Sequence, residues 1–509
     1  MSRKCIFSLI IFCLMAGCLV AQTFHTADAK APKAGTMFIS PERISLKAGG
    51  MLTIERGMIF VPVNRSRANS DVIAIEVYRF KRSDKSDPHV SPIFFLHGGP
   101  SFAGLERSLE VVGTFEDQWQ DLTDVSDVVI VSQRGIGPSK PTTTIETTGK
   151  SLAPDQAYND EDAVAEYQKT LAREKAAWED LGLDLKGFTV IEAAADVNDV
   201  RKALGYDKIV IWGGSFGSHW GMTVMRYHPE IVERAILRGM EGPDHTYDHP
   251  GHIWNVFKRV AEEAENSPEL KGLIPEGGLI KAIESVVKKV ESNPFTVTVI
   301  DPDSKKKQDV LIDGHVVKNL ARGNSGNLAA WPASVITLLN GDFREAAERA
   351  LLRYNNPQRN FNTASFWMLD SGSGITAERL AIFEADPAQK IIGSTYWAYA
   401  AGSPVWESDL GDEFRQNFET EIPTVIVHGT WDTSTPFENA LELVPYFKNS
   451  KFIPLERGPH GAIRAALEVN EQFKKGIYKF AASGDMSGLP DKMEMPKVKW
   501  VIPDVKRND

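Results

Sequence analysis

The run Lys208-Ile-Val-Ile-Trp-Gly-Gly-Ser215-Phe-Gly-Ser218 constrains this chain more than any other. Its apolar start has the character of a buried strand. Gly213-Gly214-Ser215-Phe216-Gly217 follows, and a helical pattern opens through Trp220, Met222, Val224 and Met225. Strand, G-x-S-x-G and helix in that order are what a nucleophile elbow requires. The turn is tight enough for flanking side chains to collide. Glycine removes the Cβ there and lets Ser215 lift its hydroxyl from the sheet edge. A bare G-x-S-x-G is common, and the competing reading is a glycine-rich β–α turn with a capping serine. Partners elsewhere in the chain decide between the two.

The chain has 509 residues, 42% hydrophobic and 25% charged, which is ample for a large core. A formal net charge of −11 leaves no basic excess to neutralise phosphates, so nucleic acid is not expected as a partner. Arg3 and Lys4 precede an apolar run from Ile6 to Ala16 that is too short for a stable membrane span. Leu14-Met15-Ala16-Gly17-Cys18 resembles a bacterial lipobox. That resemblance implies a signal peptide over 1–17, lipidation of Cys18 and a tether over 18–35. The protein would then be exported, either periplasmic or held at a membrane by a lipid anchor. Ordinary signal cleavage near Ala21 is the alternative. All three cysteines (Cys5, Cys13, Cys18) lie in this stretch. The mature body is therefore expected to hold neither a disulfide nor a metal–thiolate site.

Ile54–Val63 and Val72–Phe80 read as strands that open a mixed sheet. Pro92-Ile-Phe-Phe-Leu96, Asp127-Val-Val-Ile-Val131 and Thr424-Val-Ile-Val427 are short and wholly apolar, the signature of strands buried on both faces. Arg234–Arg238 and Phe452–Leu455 extend the series. Glu161–Leu181 reads as a solvated surface helix. Thr189-Val-Ile-Glu192 is a capping box opening a helix that Gly205 ends. Between about Asp244 and Asn417 the texture changes to helical stretches, plus a hairpin of Phe295–Ile300 and Val310–Asp313. Gly135-x-Gly137 is no dinucleotide fingerprint, because the third glycine is missing and prolines follow. The expected architecture is α/β, with a mostly parallel central sheet, helices on both faces and a large, mainly helical cap. The core would span 36–243 and 418–509, and the cap 244–417.

A serine hydroxyl is a weak nucleophile until a base takes its proton, and the base needs an acid to fix its tautomer. Ser215, Asp432 and His460 each fall in a loop after a predicted strand, in the chain order this fold uses. His219 follows Ser215 on its own helix, and His428 precedes the acid in the same strand and loop. His97 is expected to brace the loop His97-Gly-Gly-Pro100. That loop can place the Gly99 N–H beside the nucleophile, opposite the Phe216 N–H, as an oxyanion hole.

With these residues in hand, the chain resembles the proline iminopeptidase and tripeptidyl aminopeptidase branch of the α/β-hydrolases. The matching residues are His97-Gly-Gly-Pro100, Gln133-Arg-Gly-Ile-Gly137-Pro-Ser139, Trp212-Gly-Gly-Ser-Phe-Gly217, Leu237-Arg-Gly239, Gly429-x-x-Asp432 and Gly458-x-His460-Gly461. The resemblance implies a serine peptidase acting on peptides with a free N-terminus, without metal or organic cofactor. An exopeptidase must also hold a protonated amine. Glu241 is the first choice for that role and Asp244 the second, against a plain capping or Arg238-pairing role for either. An esterase or lactonase with the same triad, and a non-catalytic binding protein of the same fold, are the competing readings.

Overall fold

The computed structural model describes residues 32–45, 51–83, 90–100, 116–136, 139, 153–157, 160–301, 304–322, 327–355 and 366–504. Cys18 and the signal-like segment lie outside these residues.

The strands are β1 (Met37–Ser45), β2 (Met51–Pro62), β3 (Val72–Phe80), β4 (Ile93–Leu96), β5 (Val128–Val131), β6 (Ile209–Gly214), β7 (Val232–Arg238), β8 (Phe295–Ile300), β9 (Lys307–Ile312), β10 (Thr424–Gly429), β11 (Ser450–Glu456) and β12 (Met493–Glu494). Ten of them form one sheet in the order β1-β2-β3-β5-β4-β6-β7-β10-β11-β12. The β1–β2, β2–β3 and β3–β5 pairs are antiparallel. From β5 onward every pairing is parallel. β5 lies on one side of β4 and β6 on the other, so the winding reverses at β4. The crevice beyond the strand ends at such a reversal is where ligands gather in open α/β sheets.

Alternation along the strands builds two layers. Phe94, Val129, Ile211, Leu237 and Ile426 face one side, under the helices Val190–Leu204 and Phe216–Tyr227. Ile93, Ile130, Trp212, Ile236 and Val427 face the other, under Ala462–Val469 and Glu471–Ser483. The α/β architecture is the one expected from the apolar runs. β4, β5, β6 and β10 are buried almost throughout.

The segment between β7 and β10 carries helices Pro250–Glu265, Gly278–Ser292, Trp331–Leu339, Ala377–Ala385 and Trp397–Trp406, together with the β8–β9 hairpin. It has a core of its own, in which Phe257 and Trp254 pack around Trp331. One expectation needs correction. Helix Asp160–Glu179 is not a solvated surface element, because Leu171, Glu174 and Trp178 are buried. After β11 come two helices separated at Asn470, whose side chain caps the second. The proline-bearing tail returns to the sheet as β12, parallel to β11.

Candidate active site

β6 runs into Ser215, which holds φ 59° and ψ −136°, and helix Phe216–Tyr227 starts at the next residue. A non-glycine residue in this region costs about 1–3 kcal/mol and persists only where its surroundings fix it. Here two close backbone approaches do so. A Cβ on Gly213 would lie 2.3 Å from Gly217 O, and one on Gly217 would lie 2.0 Å from Leu96 O. The Ser215 N–H donates to the carbonyls of Arg238 (3.2 Å) and Gly239 (3.1 Å). Ser218 Oγ donates to Ser215 O at 2.7 Å, closing the first turn.

Asp432 sits three residues past β10 and is fully buried. Oδ1 accepts N–H bonds from Ser434 and Thr435, both at 2.9 Å, and Oδ2 accepts the Thr435 hydroxyl at 2.8 Å. His460 Nδ1 lies 3.0 and 2.9 Å from the two oxygens. Burial alone would raise the pKa of this carboxyl. The His460 charge and hydrogen bond, with help from His428 and the Thr435 N–H, hold it down at about 2. The acid is thus an anion, and His460 Nδ1–H donates to it. That tautomer leaves Nε2 as the acceptor.

The acid and base loops are stitched together by the Trp431 N–H, which donates to Gly458 O at 3.0 Å. Gly429 permits the approach, since a Cβ there would lie 2.1 Å from Gly458 O. Gly239 joins this pair to the elbow. Its carbonyl takes the Ser215 N–H, while a Cβ on it would lie 3.0 Å from both His460 Cε1 and Thr435 Oγ1. Ser215, His460 and Thr435, whose hydroxyl holds Asp432, therefore meet at one glycine at the carboxyl edge of the sheet. No Ser215–His460 hydrogen bond is present among the described residues. Such bonds are often long before substrate binds.

The remaining histidines near the elbow are spoken for. His428 is buried, accepts the Met240 N–H at Nδ1 (3.2 Å) and donates from Nε2 to Thr435 O (2.8 Å). His219 donates from Nδ1 to Gly242 O (3.2 Å) and accepts Ser373 Oγ at Nε2 (2.8 Å). Burial holds its pKa at about 4. The loop after β4 packs on the nucleophile, with a Cβ on Gly98 placed 3.1 Å from Ser215 Cβ. Gln133 braces that loop, donating from Nε2 to the carbonyls of His97 (3.2 Å) and Gly98 (3.3 Å). The Gln-Arg-Gly motif was the available signal. Among the described residues the N–H groups of Gly99 and Phe216 have no internal acceptor.

Residues 91–263 match the model of the α/β hydrolase fold. This stretch has the α/β-hydrolase fold. Over 165 residues the chain is 27% identical to a proline iminopeptidase of Neisseria meningitidis, a match covering 32% of this chain and 37% of the relative. Over 193 residues it is 25% identical to a tripeptidyl aminopeptidase of Streptomyces lividans, covering 37% and 36%. The matched stretch thus spans little more than a third of either relative's length. Among solved structures, an esterase from Exiguobacterium antarcticum superposes with a TM-score of 0.32 at 14% identity, over 81% of this chain and 96% of that one.

Beyond the elbow the fold gathers three carboxyl groups. The Glu241 N–H donates to Ser218 Oγ at 3.0 Å, so Glu241 hangs one hydroxyl away from the nucleophile's own carbonyl. Its side chain is buried against Asp370, with Asp248 close by. Tyr399 donates its hydroxyl to Asp370 Oδ2 at 3.1 Å. Tyr247 and Phe366 stack on the Tyr399 ring with centroids 5.2 and 5.5 Å apart. Burial raises all three acids. Glu241 is pushed well up, further lifted by Asp370 and Asp248. Asp370 rises to about 7 although its hydrogen bonds oppose the shift. Asp248 rises to about 8, with Asp370 adding to burial and Arg322 opposing.

Asp244, the second amine ligand expected from the sequence, is engaged elsewhere. Its carboxylate accepts the N–H (2.8 Å) and hydroxyl (2.7 Å) of Thr376, which caps helix Ala377–Ala385. Asp244 therefore anchors the residue that caps this helix. Neither it nor Glu241 forms an ion pair with Arg238. Asp370 and Asp248 were missed in the sequence. Asp370 closes the apolar run Phe366-Trp-Met-Leu-Asp370, and an acid at the end of such a run was the one available hint.

Proposed function

We propose that this α/β-hydrolase is a serine aminopeptidase acting on short peptides with free N-termini. Ser215 attacks the scissile carbonyl carbon while His460 Nε2 takes its proton. Asp432 orients the imidazole and stabilises the imidazolium. The tetrahedral oxyanion is received by the N–H groups of Phe216 and Gly99. Losing one such donor typically costs about 3 kcal/mol of transition-state stabilisation. His460 then protonates the leaving amine, and water attacks the acyl-enzyme by the same route in reverse roles. Glu241, Asp370 and Asp248 hold the substrate's ammonium group by charge-assisted hydrogen bonds.

The acid cluster carries this reading. Three carboxyl groups gathered in a protein-enclosed site cost free energy unless a cation joins them, and Glu241 is hydrogen-bonded to the elbow itself. An ester or lactone carries no positive charge to meet them. The test compares aminoacyl and tripeptidyl anilides bearing a free amine with N-blocked anilides and simple esters. Free-amine substrates should be preferred, and Ser215→Ala should abolish turnover. Turnover confined to blocked peptides or esters would instead favour an esterase or lactonase using the same residues.

A further inference from the structure

We propose that Arg238 is a positioning residue for this reaction, clamping the His460 loop onto the elbow strand, and that Gly214 is glycine to make room for it. The proposal rests on the reading of Ser215 and His460 as nucleophile and base.

Arg238 ends β7 and lies opposite Gly214 in the β6–β7 register. A Cβ on Gly214 would stand 2.6 Å from Arg238 Cζ, 2.7 Å from Nε and 2.8 Å from Cγ. The side chain thus lies flat across the elbow. The turn itself accounts for Gly213 and Gly217, whose missing Cβ atoms would strike backbone oxygens. Gly214 does not have a positive φ, so conformational need does not explain it. Passage of the guanidinium does.

From there Nη1 donates to the carbonyl of His460 at 3.1 Å. The Arg238 carbonyl, on the same residue, accepts the Ser215 N–H at 3.2 Å. One residue therefore holds the nucleophile by its main chain and the base's main chain by its side chain. The Arg238 side chain is half-buried. Burial disfavours its charge, and the Asp432 carboxylate opposes that effect. No carboxylate lies within ion-pair distance of it among the described residues. A half-buried cation with one carbonyl bond is a modest stability device. Its placement between the elbow and the base makes sense as geometry control.

The test uses the full chain and reads two quantities, the rate at which a fluorophosphonate labels Ser215 and the kcat and KM for a free-amine anilide. Arg238→Met removes the charge and donor but keeps an unbranched apolar stem. It should fold, with labelling and kcat both falling by about tenfold or more and KM nearly unchanged, as for lost alignment of reacting groups. Arg238→Lys should recover most of the rate. Gly214→Ala, which displaces the guanidinium and leaves its charge, should reproduce the Arg238→Met loss. Wild-type labelling rates in a folded Arg238→Met would overturn the clamp. Should that variant fail to fold, wild-type rates in Gly214→Ala would do so. Labelling depends on the serine and its base and not on peptide recognition, so a failed substrate reading leaves this result interpretable. Absence of labelling in the unaltered protein would remove the nucleophile reading, and the clamp with it.

Discussion

At Thr435 one hydroxyl donates to Asp432 Oδ2 and lies 3.1 Å from His460 Nδ1. A hydrogen bond to a buried carboxylate is worth about 1.5–3 kcal/mol. Thr435→Val keeps the shape and removes that bond. It should lower kcat by about tenfold or more with little change in KM, and Thr435→Ser should restore it. Steady-state kinetics on the three proteins decide the point. The acid cluster makes a different prediction. Asp370 and Asp248 lose their protons near pH 7 and 8 in the free protein. Each binds an ammonium group only once ionised, so kcat/KM for free-amine anilides should climb between pH 6 and 8. It should turn down as the substrate's own α-amine, with a pKa of about 8, becomes neutral. N-acetylated substrates share the base but carry no ammonium group, so their climb should be shallower. Identical profiles for both substrate types would remove the cluster from amine recognition.

At the scale of elements, glycines separate two kinds of constraint. Gly205 ends helix Val190–Leu204 at φ 77° with open space around its missing Cβ. Gly205→Ala should therefore cost about 1 kcal/mol of stability and leave activity untouched. Gly217→Ala drives a Cβ into Leu96 O and should shift the elbow helix off β4. Loss of fluorophosphonate labelling at Ser215, together with a lowered Tm, would show this. Both residues were legible in the sequence, because local sterics write themselves as glycine. The buried parallel strands were legible for a similar reason, since two covered faces demand an unbroken apolar run. The cap at Thr189 was legible too, but only in part. Its hydroxyl does accept the Glu192 N–H, yet Glu192 spends its carboxylate on Arg65 at 2.5 Å, a partner 127 positions away. Helix Asp160–Glu179 was misread because alanines and charges mask a stripe of Tyr167, Leu171, Glu174 and Trp178. The acid cluster was half legible. Glu241 adjoins a strand the motif fixes, whereas Asp370 reaches it through a long insertion whose path no local pattern records.

That misread helix is where the inserted segment grips the rest of the molecule. Gln168 Nε2 donates to Ala401 O at 2.9 Å and Lys175 Nζ to Val405 O at 3.1 Å, binding helix Trp397–Trp406. A Cβ on Gly402 would lie 2.9 Å from Leu171 Cδ1 on the helix, so the contact is close-packed. Glu174 lies buried on this helix, and neither carboxyl oxygen has a hydrogen-bond partner among the described residues. Burial raises its pKa from 4.5 to about 8. The folded protein thus holds a proton that the unfolded chain releases from about pH 4.5 upward. The stability it protects is complete below that pH and is lost as pH rises through 8. At about 1.4 kcal/mol per unit the loss is of the order of a few kcal/mol, large against a typical folding free energy. Glu241, Asp248 and Asp370 push the same way. Glu174→Met removes the titration and keeps the volume, so it should raise Tm at pH 9 while changing it little at pH 5. Thermal unfolding of both proteins from pH 5 to 9 measures this directly. Parallel Tm curves across the range would mean that Glu174 is not held in its neutral form, and that the grip between insertion and core owes nothing to its proton.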